Sequence, residues 1–268
     1  MSVVFSLLAR GQSLPELIAE SDFSIGKTLR IHSDVLDEER VLNVYLPASY
    51  SVDRSKEYPV IYLLDGSSDE DFIHVSGIVQ FASFPWINRI PESIVVGIAN
   101  VDRKRDFTYP SNSKIDQEEF PTSGYSERFI NFLENELHPF IDSAFRTTAT
   151  RTIIGQSLGG LLATEILFKK PQLFDNYVIV SPSLWWDDEG LLKAERKKIE
   201  SQKSIYIAVG KEGEVMERTA RELYDQLKGS GDQNTRVNFE FLEDKTHGDA
   251  LHMSVYNAFG WLFGASSN

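Results

Sequence analysis

The sequence predicts an α/β fold in which helices cover both faces of a mostly parallel sheet of about eight strands. Three observations indicate this fold: an alternating pair of strands around a charged turn comes first, short runs rich in Val and Ile follow, and helical segments separate these runs. Uninterrupted apolar runs are typical of strands that are buried on both faces of a parallel sheet. Repeated strand–helix units build such a sheet.

Each strand is predicted from its apolar pattern, and each helix from apolar residues with a period near 3.6. An antiparallel hairpin is expected from Thr28–Leu36 and Arg40–Leu46. The remaining strands are expected in Pro59–Leu64, Ile94–Ala99, Arg151–Ile154, Tyr177–Val180, Ile205–Val209 and Val237–Leu242. Helices are expected in Glu127–Ala144, Leu158–Lys169, Glu214–Leu227 and Ala250–Phe263. Active sites of proteins with such sheets lie at the carboxyl ends of the strands, so we expect the catalytic residues in the loops that follow the strands.

The whole chain, residues 1–268, is expected to form one domain, with residues 1–23 as an N-terminal lead-in. The apolar run Val3–Ala9 lacks a preceding positive charge and a clear cleavage site, so we expect a first strand or an amphipathic lead-in rather than a signal peptide. No stretch approaches the roughly 18 apolar residues of a membrane span. The polar segment Arg103–Tyr125 is long for a plain connection and is expected to cap the site.

Composition excludes several classes of function. The chain has 27 basic and 40 acidic residues and a formal net charge of −13, which argues against nucleic acid or an anionic membrane as its main partner. It contains no cysteine, so disulfides, thiolate metal sites and a cysteine nucleophile are excluded. Its histidines show no spacing typical of metal ligands. We therefore expect neither a metal nor a cofactor.

The segment Gly155-Gln156-Ser157-Leu158-Gly159 has the Gly-x-Ser-x-Gly pattern of a nucleophile elbow. The pattern alone is common by chance, but here it follows a predicted strand and begins an apolar helix, as the elbow requires. Its two glycines leave room for a strained turn. We predict that Ser157 is the nucleophile of a serine hydrolase with the α/β-hydrolase fold. The alternative is a plain strand–turn–helix whose glycines serve packing.

Several further motifs occur in the order found in the "putative esterase" family, which the chain resembles over roughly residues 28–262. They are Tyr62-Leu63-Leu64-Asp65-Gly66, Glu127–Ile141 with Phe145-Arg146, Arg151–Gly160, Phe174-Asp175 and Ser181–Asp187. This family includes siderophore esterases of the enterobactin type, feruloyl esterases, S-formylglutathione hydrolases and the antigen 85 proteins. The resemblance is strongest to the siderophore-esterase branch and implies hydrolysis of carboxylic esters. Gln156 stands where that branch usually has His, which leaves the substrate preference open.

The serine needs a base, and His247 is the expected one among five histidines. It lies in a predicted loop after the final strand and follows the α/β-hydrolase order of serine, acid and histidine. The acid is expected in Gly210–Glu214, after the strand Ile205–Val209, where two glutamates compete. The family pattern favours Glu214, with Glu212 as the alternative acid. Glu214 would also suit a plain helix start. Asp187 and Asp249 are lesser candidates for the acid, and a Ser-His pair without an acid stays open.

The oxyanion hole is expected to use the N–H of Leu158, which follows the nucleophile. The resemblance implies a second N–H donor from Gly66 or Ser67, although a tight turn explains these two residues equally well without catalysis.

The predicted substrate pocket comprises Gln156, Trp185 and Trp186. Both tryptophans follow a strand end, where an acyl or alcohol group would bind. A place in the core remains an equal alternative for them.

We predict a serine carboxylic ester hydrolase that acts through an acyl-enzyme with a Ser-His-Glu triad on small acyl or aromatic esters. A siderophore trilactone esterase is an alternative. The net charge of −13 disfavours it, because catecholate–iron complexes are anionic and the basic run Arg103-Lys104-Arg105 would have to compensate. A thioesterase of the S-formylglutathione hydrolase type and a non-catalytic binding protein on a hydrolase fold are further alternatives.

The expected partner is a small-molecule ester substrate, without nucleic acid or a membrane span. A homodimer and a monomer both stay open. We expect a cytoplasmic location, with the periplasm and secretion as open alternatives.

Overall fold

The structure is a computed structural model that describes residues 14–264. The run Val3–Ala9, expected to be a strand or an amphipathic lead-in, lies outside the described residues. That residues 1–268 form one domain stays a prediction.

In the part of the chain that the structure describes, eight strands form one sheet. They are β1 (Lys27–Ser33), β2 (Glu38–Tyr45), β3 (Tyr58–Leu63), β4 (Ile94–Ile98), β5 (Thr147–Gln156), β6 (Asn176–Val180), β7 (Lys203–Gly210) and β8 (Thr235–Leu242). Their order across the sheet is β1-β2-β4-β3-β5-β6-β7-β8. β2 runs antiparallel to β1 and β4, and every other neighbouring pair is parallel. The predicted hairpin and the mostly parallel sheet are confirmed.

Helices lie on both faces of this sheet. They are α1 (Phe72–Ala82), α2 (Arg103–Phe107), α3 (Lys114–Glu119), α4 (Ser126–Phe132), α5 (His138–Ala144), α6 (Leu158–Lys169), α7 (Trp186–Lys193), α8 (Glu214–Gly229) and α9 (Ala250–Phe263). The segment predicted as one helix, Glu127–Ala144, is α4 and α5 joined by a π-helical turn at Leu133–Leu137. Pro139 explains this turn, because its ring clashes with the carbonyl group four residues earlier in a regular α-helix.

The two faces of the sheet form two separate apolar cores. Tyr62 of β3 points into the core beneath α4 and α6, whereas its neighbours Ile61 and Leu63 point into the core beneath α1 and α9. Because both faces are covered, β4 is buried along its whole length and needs no polar alternation. This double burial produces the continuous apolar runs that the sequence shows.

The segment Arg103–Tyr125, expected to cap the site, contains the short helices α2 and α3. The indole N–H of Trp186 donates to the carbonyl oxygen of Tyr109 at 2.9 Å. The N–H of Asn112 donates to Oδ1 of Asp187 at 2.6 Å. These bonds fasten the segment to α7, directly after the carboxyl end of β6.

Within residues 14–264, none of the helices has both the length and the apolar character that crossing a bilayer requires.

Candidate active site

Ser157 lies on the turn between β5 and α6. Its backbone angles, φ 59° and ψ −120°, fall in a region that favours glycine, so the serine is held in a strained conformation. A Cβ at Gly155 would lie 2.3 Å from the carbonyl oxygen of Gly159, which makes a side chain at position 155 sterically impossible without a backbone shift. The predicted strand–turn–helix setting of the elbow is therefore present.

The Ser157 hydroxyl lies beside a second serine. Its Oγ is 3.3 Å from Oγ of Ser183, and the N–H of Ser183 donates to the carbonyl oxygen of Ser157 at 3.0 Å. Among residues 14–264, no hydrogen bond joins Ser157 to the ring of His247. Hydrogen bonds between a nucleophile and its base often form only when substrate binds, so this geometry is compatible with a catalytic pair.

His247 lies in the loop between β8 and α9, and its ring contacts a buried carboxylate. Its Nδ1 is 2.6 Å from Oε2 of Glu212. The Glu212 side chain is 2% exposed, whereas that of His247 is 49% exposed. The other carboxylate oxygen, Oε1, accepts the hydroxyl of Ser181 at 2.5 Å and the N–H of Gly210 at 2.9 Å. The carboxylate is thus fixed by the ends of two neighbouring strands while its partner ring faces solvent.

The same contacts decide the charge of Glu212. Burial acts to raise the pKa of this carboxyl group, but the hydrogen bonds from His247, Ser181 and the N–H of Gly210 together outweigh burial and hold the pKa below its ordinary value. Glu212 is therefore ionised at neutral pH. An ionised carboxylate at Nδ1 can fix the ring tautomer and stabilise an imidazolium ion.

Glu214, our first choice for the acid, is not the carboxylate that contacts His247; the alternative, Glu212, occupies that place. Glu214 is exposed and begins α8, where the helix dipole favours a carboxylate. The loop before α8 is shaped by Glu217, whose Oε1 accepts the N–H groups of Glu212 and Gly213 at 2.9 Å each. This arrangement turns Glu212 inwards.

Of the two residues proposed for the second oxyanion donor, Gly66 was a wrong prediction. Its N–H donates to the carbonyl oxygen of Ile98 at 3.0 Å and is unavailable to a substrate. A Cβ at Gly66 would lie 2.3 Å from Cα of Gly97, so the close packing of these two backbone segments explains the glycine at position 66. The N–H of Ser67 makes only a long bond, 3.3 Å, to the Glu70 carboxylate.

The first predicted donor, Leu158, occupies the first position of α6. A helix leaves the N–H groups of its first turn without acceptors inside the helix. The Leu158 N–H therefore stays a candidate donor.

Arg103 connects the turn after β3 with the elbow. Its guanidinium donates to both carboxylate oxygens of Asp65, from Nε at 2.6 Å and from Nη2 at 2.9 Å. Nη2 also donates to the carbonyl oxygen of Gln156 at 3.2 Å, and Asn100 adds a bond of 2.7 Å to Asp65. Sequence analysis missed this role, because nothing in the run Arg103-Lys104-Arg105 indicates which charges its members meet.

The other two cations of that run also contact neighbouring side chains. Arg105 pairs with Glu38 at 2.6 Å and Asp106 at 2.8 Å. The Lys104 ammonium lies 4.7 Å from the ring centre of Phe120. Both arginines of the run are therefore paired with carboxylates, which weakens the attraction that the run could offer to an anionic iron complex.

The three predicted pocket residues have different surroundings. Trp186 takes the core position that was left open for it, because its side chain is fully buried and its indole N–H is bonded to the Tyr109 carbonyl. Trp185 is partly exposed and packs its ring edge-on against Trp186. The side chain of Gln156 donates from Nε2 to the carbonyl oxygen of His247 at 2.5 Å. Of the two tryptophans, only the partly exposed Trp185 could contact a substrate, so it stays a predicted pocket residue.

No cluster of three or more histidine, aspartate or glutamate side chains is arranged to hold a metal ion anywhere between residues 14 and 264.

Comparison with known proteins gives the family. The family model described as "Putative esterase" matches residues 33–256. The chain is 31% identical over 245 residues to the ferri-bacillibactin esterase BesA of Bacillus subtilis, covering 83% of this chain and 84% of that protein. It is 33% identical over 114 residues to the siderophore triacetylfusarinine C esterase of Aspergillus fumigatus, covering 39% of each.

A solved structure shows the same architecture. The IroE-like serine hydrolase of Shewanella oneidensis superposes with a TM-score of 0.77 at 28% identity, covering 89% of this chain and 80% of that one. The fold, the elbow serine and the family match agree. The chain is an esterase and belongs to the "Putative esterase" family of α/β-hydrolases.

Proposed function

We propose that the protein cleaves carboxylic esters through an acyl-enzyme on Ser157, with His247 as the base and Glu212 as the carboxylate that orients it. The observation that carries this proposal is the 2.6 Å contact between Nδ1 of His247 and the buried carboxylate of Glu212. The three residues follow β5, β8 and β7, whose carboxyl ends lie at one edge of the sheet.

In the proposed reaction, the Ser157 hydroxyl turns from Ser183 towards Nε2 of His247 and gives up its proton as Oγ attacks the acyl carbon. Ionised Glu212 stabilises the imidazolium ion formed in this step. The N–H groups of Leu158 and Ser67 are the proposed donors to the oxyanion. The imidazolium then protonates the leaving alcohol, and water releases the acid by the same steps.

Replacing the nucleophile tests this proposal. In Ser157→Ala, kcat for a short-chain nitrophenyl ester should fall on the order of 10⁵-fold, and covalent labelling by a fluorophosphonate probe should disappear. The control is Ser201→Ala, at an exposed serine, which should retain activity and labelling. Full activity in the Ser157 variant would contradict the proposal, and folded wild-type protein that is never labelled would favour a non-catalytic binding protein.

For the substrate we propose an ester bond of a siderophore, because two relatives are named for such esters. The net charge of −13 and the paired arginines of the segment after β4 oppose a strongly anionic iron complex, so the iron-free form is expected to be the better substrate. The test compares kcat/KM for bacillibactin with and without iron, a nitrophenyl ester, a feruloyl ester and S-formylglutathione. A preference for the thioester or the small esters over both bacillibactin forms would overturn this substrate proposal.

A further inference from the structure

The side chain beside the nucleophile is bonded to the backbone of the base. Gln156 is the last residue of β5, and its Nε2 donates to the carbonyl oxygen of His247 at 2.5 Å. Its own carbonyl oxygen accepts Nη2 of Arg103 at 3.2 Å. One residue thus connects three segments: the elbow, the loop of the base and the segment after β4.

The loop of the base, residues 243–249, has little else to hold it. Six of its seven residues are exposed, and Lys245 is half-buried. Two other bonds hold it to the β7–α8 loop: the contact of the His247 ring with Glu212, and the bond of 2.6 Å from the N–H of Lys211 to the carbonyl oxygen of Lys245. Within residues 14–264, the Gln156 amide makes the only hydrogen bond between residues 243–249 and the elbow.

We propose that Gln156 is a positioning residue that sets the distance between Ser157 and His247. This inference rests on the proposed roles of those two residues. The contact with Glu212 fixes one atom of the imidazole, about which the ring can still pivot. A second anchor at the backbone of His247 removes that freedom and directs Nε2 towards the adjacent nucleophile.

The chemistry of the bond dictates which side chains can replace Gln156. The function needs an N–H donor four bonds from Cα, which histidine also provides at its Nε2. Methionine has a similar length and shape but no donor. Glutamate keeps the shape and presents an oxygen to the carbonyl of His247, where two acceptors repel each other.

The experiment measures kcat, KM and melting temperature with a nitrophenyl ester for Gln156→Met, Gln156→Glu and Gln156→His. The methionine variant should lose about tenfold in kcat at unchanged KM and melting temperature, because a misdirected base affects only the transition state. The glutamate variant should lose more, and the histidine variant should stay within about threefold of wild type. Gln172→Met, the same change at an exposed site after α6, is the matched control.

Three results would overturn the inference: wild-type kcat in both the methionine and glutamate variants, a raised KM at unchanged kcat, or the same loss in the histidine variant as in the methionine variant. A raised KM would instead place Gln156 on the substrate. Ser157→Ala is measured in parallel to separate the two proposals. If that variant is inactive while the Gln156 variants are normal, only the positioning role fails; if it is active, the proposed function fails.

Discussion

Ser157 and His247 lie at the same edge of one sheet, but the chain around Ser157 is largely buried and the chain around His247 is exposed. Gly155, Leu158 and Gly159 are buried between β5 and α6, and steric limits on the backbone fix the turn. Within residues 14–264, three hydrogen bonds attach residues 243–249 to segments other than the flanking β8 and α9. The proposed nucleophile is therefore placed by the fold, and the proposed base is placed by a few side chains. Substitutions near the first should affect folding, and those near the second should affect the reaction rate.

Among the substitutions that test this contrast, Glu212→Gln, on the side of the base, is expected to have the largest effect. Loss of the carboxylate leaves the His247 ring in the wrong tautomer and the imidazolium unstabilised, so kcat should fall about 10³- to 10⁴-fold. The melting temperature should fall by only a few degrees, as about 1 kcal/mol of lost hydrogen bonding implies for a chain of this size. Steady-state kinetics and thermal unfolding measure the two effects.

Glu214→Gln is the matched comparison, because Glu214 lies two residues away and is exposed. It should retain kcat within about twofold, as surface substitutions usually do. An equal loss of kcat in both variants would show that activity depends on the conformation of the β7–α8 loop rather than on the carboxylate at Nδ1 of His247.

On the side of the nucleophile, Gly155→Ala should destabilise the fold. The added Cβ would meet the backbone of Gly159 at 2.3 Å, so the elbow must shift at a cost of about 3 kcal/mol. Urea unfolding checks this value. Gly77→Ala is the control, since Gly77 lies within α1 and an added Cβ meets nothing within 4 Å. That variant should be more stable by about 0.5–1 kcal/mol. Similar free energies of unfolding for the two variants would contradict the prediction that the elbow tolerates an added side chain less well than an ordinary helix does.

Arg103→Lys tests the connection between the elbow and the turn after β3, with a smaller expected effect. A lysine ammonium cannot reproduce the two-pronged contact with Asp65 together with the bond to Gln156, so we expect kcat/KM to fall about tenfold. Arg30→Lys, at an exposed pair with Glu39, should leave kcat/KM unchanged. If both variants are normal, the reaction does not depend on the bonds of Arg103 to Asp65 and Gln156.

The smallest effect is expected in the pH dependence of stability. The pKa of Glu212 is below its ordinary value of 4.5 in the folded protein, so its ionised form stabilises the fold above that pH. This stabilisation is lost as the pH falls through the lowered folded pKa. The stability difference between wild type and Glu212→Gln should therefore shrink below about pH 4.5, measured by urea unfolding. Parallel curves down to low pH would contradict the lowered pKa.

The sheet was predictable because burial on both faces leaves a direct trace in the sequence: β4 reads Ile94-Val95-Val96-Gly97-Ile98 without a polar side chain. The elbow was predictable because its geometry depends on adjacent residues. The choice between Glu212 and Glu214 was not, since it depends on Ser181 from the end of another strand and on Glu217 one turn into α8.

The positions of the two tryptophans were also not predictable from the neighbouring residues. Trp185 and Trp186 are neighbours with the same chemistry, yet only Trp186 enters the core. Directly after it, Asp187, Asp188 and Glu189 adopt left-handed angles with φ of 53°, 50° and 64°. Nothing in the local pattern predicts this run, which is held by contacts to Asn112 and Asp116 on a distant segment.

The left-handed angles of Ser157 have a consequence for selection on this protein. Glycine adopts such angles without the steric penalty, which is of order 1–3 kcal/mol for other residues, so a chain with glycine at position 157 should be the more stable protein. With Ser157 as the proposed nucleophile, screens for thermostability alone would then enrich an inactive enzyme. On that proposal, position 157 is one place where stability and catalysis are in direct conflict, and the serine favours catalysis.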